Sequence, residues 1–297
     1  MFTPPLARSG HRSSIYALAP IPGGGFLSGS GDGQVVEWAD DPNLPGRVIA
    51  EAGQSVYSLH VLSGGRLVLI GTGVGDLVLI DRGQRRALAR TTLHHLGVFA
   101  IVPWDEEVFL TAGGDGTLGL WTIDGSALRT VRRISLTDAK VRAIAVCREA
   151  GRIAVACGDG TVRILEPDGM NELHAIEAHD RGSTAVAWHP NKPVLFSGGK
   201  DGHIRTWQYT AGYRAVHAWP AHAGTVYAIA FDPKGPRFAT ASRDHEVKLW
   251  DARTTDPIAR SDRRSGGHTH SVNALLWQAG TLLSAGDDKR VLAWSVG

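Results

Sequence analysis

The sequence predicts an all-β fold made of repeated four-stranded antiparallel sheets, seven in number. Three observations carry this expectation. A short pattern ending in tryptophan, or in an aliphatic residue at the same place, recurs about every 42 residues through the 297-residue chain. Within each copy, apolar and polar residues alternate over short segments. A turn built on Asp, often Asp-Gly, punctuates the copies at one fixed place.

The repeated pattern reads SGSGDGQVVEW at 28–38, TAGGDGTLGLW at 111–121, SGGKDGHIRTW at 197–207, TASRDHEVKLW at 240–250 and SAGDDKRVLAW at 284–294. Two further copies replace the Trp: IGTGVGDLVLI at 70–80 and VACGDGTVRIL at 155–165. The copies end at 38, 80, 121, 165, 207, 250 and 294, with steps of 42, 41, 44, 42, 43 and 44. In the sixth copy the alternating segments are 225–231, 236–241, 246–250 and 257–261, each bounded by turn residues. Asp32-Gly33, Asp115-Gly116, Asp159-Gly160 and Asp201-Gly202 separate the second and third strands, where a tight hairpin needs positive φ. No segment has helical periodicity.

Composition agrees with an ordered chain. The 37 glycines and 9 tryptophans are spread from end to end, 43% of residues are hydrophobic, 20% are charged, and the net charge is +2. Those values exclude a disordered chain and disfavour a dedicated nucleic-acid binder. No apolar run is long enough to span a membrane. Residues 1–8 lack the pattern of a secretory leader, so a cytoplasmic location is expected. Cys147 and Cys157 fall at the ends of two successive antiparallel strands, about 20 Å apart, too far for a disulfide. Two free thiols are expected.

Units of this length with four strands and a Gly-His…Trp-Asp signature resemble the WD40 repeat family, whose fold is a β-propeller. Only the sixth copy keeps the literal Trp250-Asp251 pair, while Gly10-His11, Gly267-His268, Ala178-His179 and Ala221-His222 stand for the Gly-His element. The resemblance implies a single seven-bladed WD40-type propeller over 1–297. The last copy stops just after its third strand, so residues ~2–8 are expected to supply its outer strand, as the family closes its ring.

The family also holds each blade with a His, a Ser or Thr, an Asp and a Trp in one hydrogen-bonded set. Matching residues are His11, Ser28, Asp32 and Trp38; His94, Thr111, Asp115 and Trp121; His179, Ser197, Asp201 and Trp207; His222, Thr240, Asp244 and Trp250; His268, Ser284, Asp288 and Trp294. Blade two offers Gln54, Ile70, Val74 and Ile80 instead, and blade four Val155, Asp159 and Leu165. Joint loss is sensible, because a half-satisfied buried network is worse than an apolar one.

Where the copies disagree, the fold makes no demand. Five residues after each network His lies a position that faces the channel mouth in this family. Its occupants are Tyr16, Tyr57, Phe99, Arg142, Thr184, Tyr227 and Asn273. With Lys140, Lys200 and Arg243 they suggest a top-face surface for a protein or peptide, one with an acidic or phosphorylated segment and an apolar anchor. The expected function is a non-catalytic interaction scaffold, monomeric on its own. The alternatives are an enzyme using the channel, or a complex subunit that meets acidic or nucleic-acid surfaces through arginines 85, 86, 90, 129, 132 and 133 on outer strands. The inner ring has no carboxylate, and His94-His95 and His268-Thr269-His270 lack ligand companions, so no catalytic residue, cofactor or metal is expected.

Overall fold

The computed structural model describes residue 2 and residues 5–62, 64–264 and 266–296. They form twenty-eight strands and a single 3-10 turn, Tyr209–Ala211. The strands are β1 Leu6–Ser9; β2 Ile15–Pro20, β3 Phe26–Ser30, β4 Gln34–Trp38 and β5 Arg47–Glu51; β6 Val56–Val61, β7 Leu67–Thr72, β8 Asp76–Asp81 and β9 Arg86–Thr92; β10 Val98–Pro103, β11 Val108–Gly113, β12 Thr117–Asp124 and β13 Ala127–Ser135; β14 Val141–Cys147, β15 Arg152–Cys157, β16 Thr161–Leu165 and β17 Glu172–Glu177; β18 Ser183–Trp188, β19 Val194–Gly199, β20 His203–Gln208 and β21 Arg214–Pro220; β22 Val226–Phe231, β23 Arg237–Ser242, β24 Val247–Asp251 and β25 Pro257–Arg260; β26 Val272–Gln278, β27 Thr281–Gly286 and β28 Arg290–Ser295.

Each run of four from β2 to β25 is one sheet, ordered as in the sequence, and the seventh sheet has the order β1-β28-β27-β26. The outer strand of the last blade therefore comes from the N-terminal segment. Of the expected 2–8, Phe2 bridges Val296 and the described strand runs Leu6–Ser9. Pro5, with no N–H to donate, stands between the two. The expected positions 3 and 4 lie outside the described residues. Phe2 also packs on Trp294, with ring centroids 4.9 Å apart.

By contact density the chain divides into two units, Arg8–Arg142 and a second made of Met1–Ala7 with Ala143–Gly297. In both, the core lies between neighbouring blades rather than within one. Ala17, Leu27 and Val35 of blade one meet Val56, Ile70 and Ile80 of blade two in the first unit. Phe196 and Ile204 of blade five meet Val226, Phe238 and Trp250 of blade six in the second. A sheet flanked on both faces loses strict alternation, which is why Phe26–Ser30 is buried at every residue.

The turn after the second strand asks for positive φ in every blade. The residue concerned is Gly75 in blade two, and Gly33, Gly116, Gly160 and Gly202 in four others. In blades six and seven it is His245 at φ 75° and Lys289 at φ 65°. Cys147 and Cys157 are both free thiols, and burial pushes Cys157 up to about 12.

Candidate functional site

Five blades carry the same polar relay. Trp38 Nε1 donates to Ser28 Oγ at 2.8 Å, Ser28 Oγ lies 2.7 Å from His11 Nε2, and His11 Nδ1 lies 3.1 Å from Asp32. The indole can only donate. The hydroxyl therefore spends its proton on Nε2, and Nδ1–H faces the carboxylate. The same links join Trp121, Thr111, His94 and Asp115. They recur for Trp207, Ser197, His179 and Asp201. Trp250, Thr240, His222 and Asp244 form the fourth set, and Trp294, Ser284, His268 and Asp288 the fifth. In blade three Asp115 also accepts from the His95 backbone N–H at 2.9 Å and from Thr117 Oγ1 at 2.8 Å.

Burial alone would raise Asp115, but these donors and His94 outweigh it and hold the carboxyl at about 2. Asp244 is held at about 2, where its hydrogen bond to His222 helps to overcome burial. Burial lowers the imidazoles of His11, His94 and His179 despite their carboxylate partners. These three His residues thus work as neutral connectors with both ring nitrogens engaged. Blades two and four fill the space with Ile70, Ile80, Val155 and Leu165, all buried. His222, Asp244 and Glu246 bring three ligand-type atoms within 4.8 Å of one another. His222 and Asp244 already belong to the relay, and Glu246 is paired with Lys248 at 3.2 Å.

The variable ring has a structural cause that spacing does not reveal. In the innermost strand the register steps from Ile15 to Ala17, from Val56 to Ser58 and from Val98 to Ala100. It also steps from Ser183 to Ala185, Val226 to Ala228 and Val272 to Ala274. Tyr16, Tyr57, Phe99, Thr184, Tyr227 and Asn273 are therefore the extra residues of β-bulges. A bulge residue is released from the ladder and re-aimed, so its side chain is free to differ from blade to blade.

In the first unit these side chains touch in series. Tyr16 meets Tyr57 edge-on at 5.1 Å, and Tyr57 stacks on Phe99 at 5.3 Å with ring planes 9° apart. The Arg142 guanidinium lies 4.4 Å from the Phe99 centroid and Lys140 Nζ lies 5.8 Å from it. The rings rest on glycine backbone. A Cβ on Gly97 would come within 2.7 Å of Tyr57, and one on Gly114 within 2.9 Å of Phe99. The result is a half-buried aromatic shelf ending in two cations.

The second unit is different. Thr184 is buried and its hydroxyl is 2.6 Å from Val226 O, so it serves packing rather than display. Asn273 donates to Asp287 at 2.8 Å. Lys200 and Arg243 are exposed and Tyr227 is half-buried. The Lys200 stem lies beside Gly182, where an added Cβ would meet it at 3.2 Å. The charged residues before the turn occur where the bulge residue is not part of the shelf. Sequence reasoning also missed Trp188 and Trp277. Trp188 ends β18 and Trp277 is the last residue but one of β26, and each donates to the preceding blade, to Ala145 O at 3.1 Å and Ala230 O at 3.0 Å.

Comparison with known proteins agrees with this architecture. The sequence model of the WD domain, G-beta repeat, matches residues 3–38, 170–208 and 213–251. Three segments of the chain thus match the WD40 repeat. The crystal structure of the WD40 β-propeller domain of Doa1 superposes with a TM-score of 0.87, covering 100% of this chain and 97% of that one at 17% identity. The chain thus folds as a seven-bladed β-propeller. Among curated proteins, the probable cytosolic iron-sulfur protein assembly protein Ciao1 of Anopheles gambiae is 38% identical over 72 residues, 21% of each chain. Cilia- and flagella-associated protein 52 of Bos taurus is 26% identical over 196 residues, 65% of this chain and 31% of that protein. The matched stretches span a fifth to a third of the length of these relatives. Among the described residues, no helix is long and apolar enough to cross a membrane.

Proposed function

We propose that this propeller is a non-catalytic scaffold, with residues 1–297 as one recognition domain that holds a segment of a partner protein. The reading rests on one observation, the shelf of Tyr16, Tyr57 and Phe99 capped by Arg142 and Lys140. Half-buried aromatic rings supply apolar area at low entropic cost, and Tyr and Arg concentrate binding energy at interfaces. The two cations favour a segment with an acidic or phosphorylated residue next to an apolar anchor. Lys200, Tyr227, Arg243 and Asn273 of the second unit are proposed as additional contacts, and Thr184 as a packing residue. Ciao1 is named as a cytosolic assembly protein, which supports a cytoplasmic scaffold role here without naming the partner.

The test is affinity capture with wild-type protein and with Tyr57→Ala/Arg142→Ala, after matching their thermal unfolding. The expected result is loss of a defined set of partners by the variant. Recovery of the same set by both proteins would sink the proposal.

A further inference from the structure

The outer strands of blades two and three carry a charge pattern found on no other described outer strand. β9 and β13 read RALARTT and ALRTVRRIS, with five arginines and no acidic residue, and Arg85 stands just before β9. β13 is nine residues long, whereas the other outer strands have four to seven. It is open to solvent along most of its length, and Val131 at its centre is 57% exposed. The register step opposite Leu120 and Trp121 makes Val131 an extra residue, with four strand residues on either side. Arg90 pairs with Asp76, Arg129 with Asp124 and Arg133 with Asp115. Arg85 and Arg86 have no ion-pair partner among the described residues.

An edge strand turns backbone N–H and C=O groups outward at alternate residues, and charged side chains there repel unwanted strands. The repulsion is selective. An all-basic edge disfavours neutral and basic strands, while opposite charges across a strand pair attract. Neither β9 nor β13 has an aromatic side chain on which a base could stack, so a polypeptide suits the surface better than single-stranded nucleic acid. We propose that β13, flanked by β9, docks an acidic extended segment of a partner protein, which adds to the third blade as a fifth strand. This surface is separate from the aromatic shelf, and either proposal can fail alone.

The probe is a nine-residue peptide alternating Glu and Val, blocked at both ends and added to the full chain. Binding is followed by fluorescence anisotropy and by amide hydrogen exchange. The expected result is saturable binding, weakened at least ~10-fold by Arg85→Glu/Arg86→Glu/Arg132→Glu, with new protection confined to residues 127–135. Methylating alternate peptide nitrogens in one of the two phases should abolish binding to the wild-type protein, an outcome that does not depend on how well the triple variant folds. Absence of binding, indifference to N-methylation in both phases, or protection at the shelf instead of β13 would overturn the proposal. So would equal or tighter binding of a single-stranded oligonucleotide of matching charge.

Discussion

At the scale of single residues, the relay explains why His, Ser or Thr, and Trp occur together or not at all, while the turn Asp survives alone in blade four as Asp159, bonded to Thr161. Removing one member leaves the others buried without a partner, and an unsatisfied buried group costs more than a hydrogen bond gains. Asp115→Ala would remove the acceptor that His94 Nδ1, the His95 N–H and Arg133 all reach, leaving His94 Nδ1 with Thr117 Oγ1 alone. It should lower the unfolding free energy by about 1–3 kcal/mol, read from urea melts. The relay also sets the response to acid. His11, His94 and His179 titrate below the ordinary imidazole range in the folded chain, so below pH ~6.5 the unfolded chain takes up protons that the folded one refuses. Asp115 and Asp244, at about 2 when folded, add a second loss as pH falls from ~4 towards 2. Stability should therefore be full above pH ~6.5 and fall in two stages on acidification. A melting temperature unchanged between pH 7.5 and pH 5 would contradict this account.

At the scale of the element, the hairpin after the second strand demands a left-handed residue whatever the sequence provides. His245 and Lys289 meet that demand with a Cβ in the way, at a cost of about 1–2 kcal/mol, which glycine avoids while adding its own entropy loss. Lys289→Gly should accordingly raise stability by about 0.5 kcal/mol, visible as a higher urea midpoint with unchanged slope. The strands themselves were legible in the sequence. The sixth copy was expected at 225–231, 236–241, 246–250 and 257–261, and the observed strands begin and end within one residue of those bounds. Alternation and the Asp turn are local signals, so they survive in a single sequence. The bulges were not legible. The spacing found Tyr16, Tyr57 and Phe99 as variable positions, but an extra residue is visible only against its partner strand. The stacking of Tyr57 on Phe99 likewise depends on two blades, 42 residues apart in the chain.

At the scale of the whole molecule, the last sheet is completed by a strand from the opposite end of the sequence. Deleting residues 1–9 would strip its outer strand and uncover Trp294, now fully buried beneath Phe2. The melting temperature should drop by several degrees, and an unchanged value would show that β1 contributes little. The expectation of a borrowed strand rests on how the WD40 family closes its ring, together with a count: the seventh copy has three strands and the first has residues to spare. Counting alone does not show that the described strand begins at Leu6, one residue after Pro5, which has no N–H to donate. The inner-strand bulge has a consequence on a longer timescale. A residue without a ladder partner can be exchanged without refolding its neighbours, whereas each relay residue is tied to three others. Partner choice and foldability can then drift as separate traits, so a lineage can trade Tyr16 or Asn273 for something new while its blades stay the same.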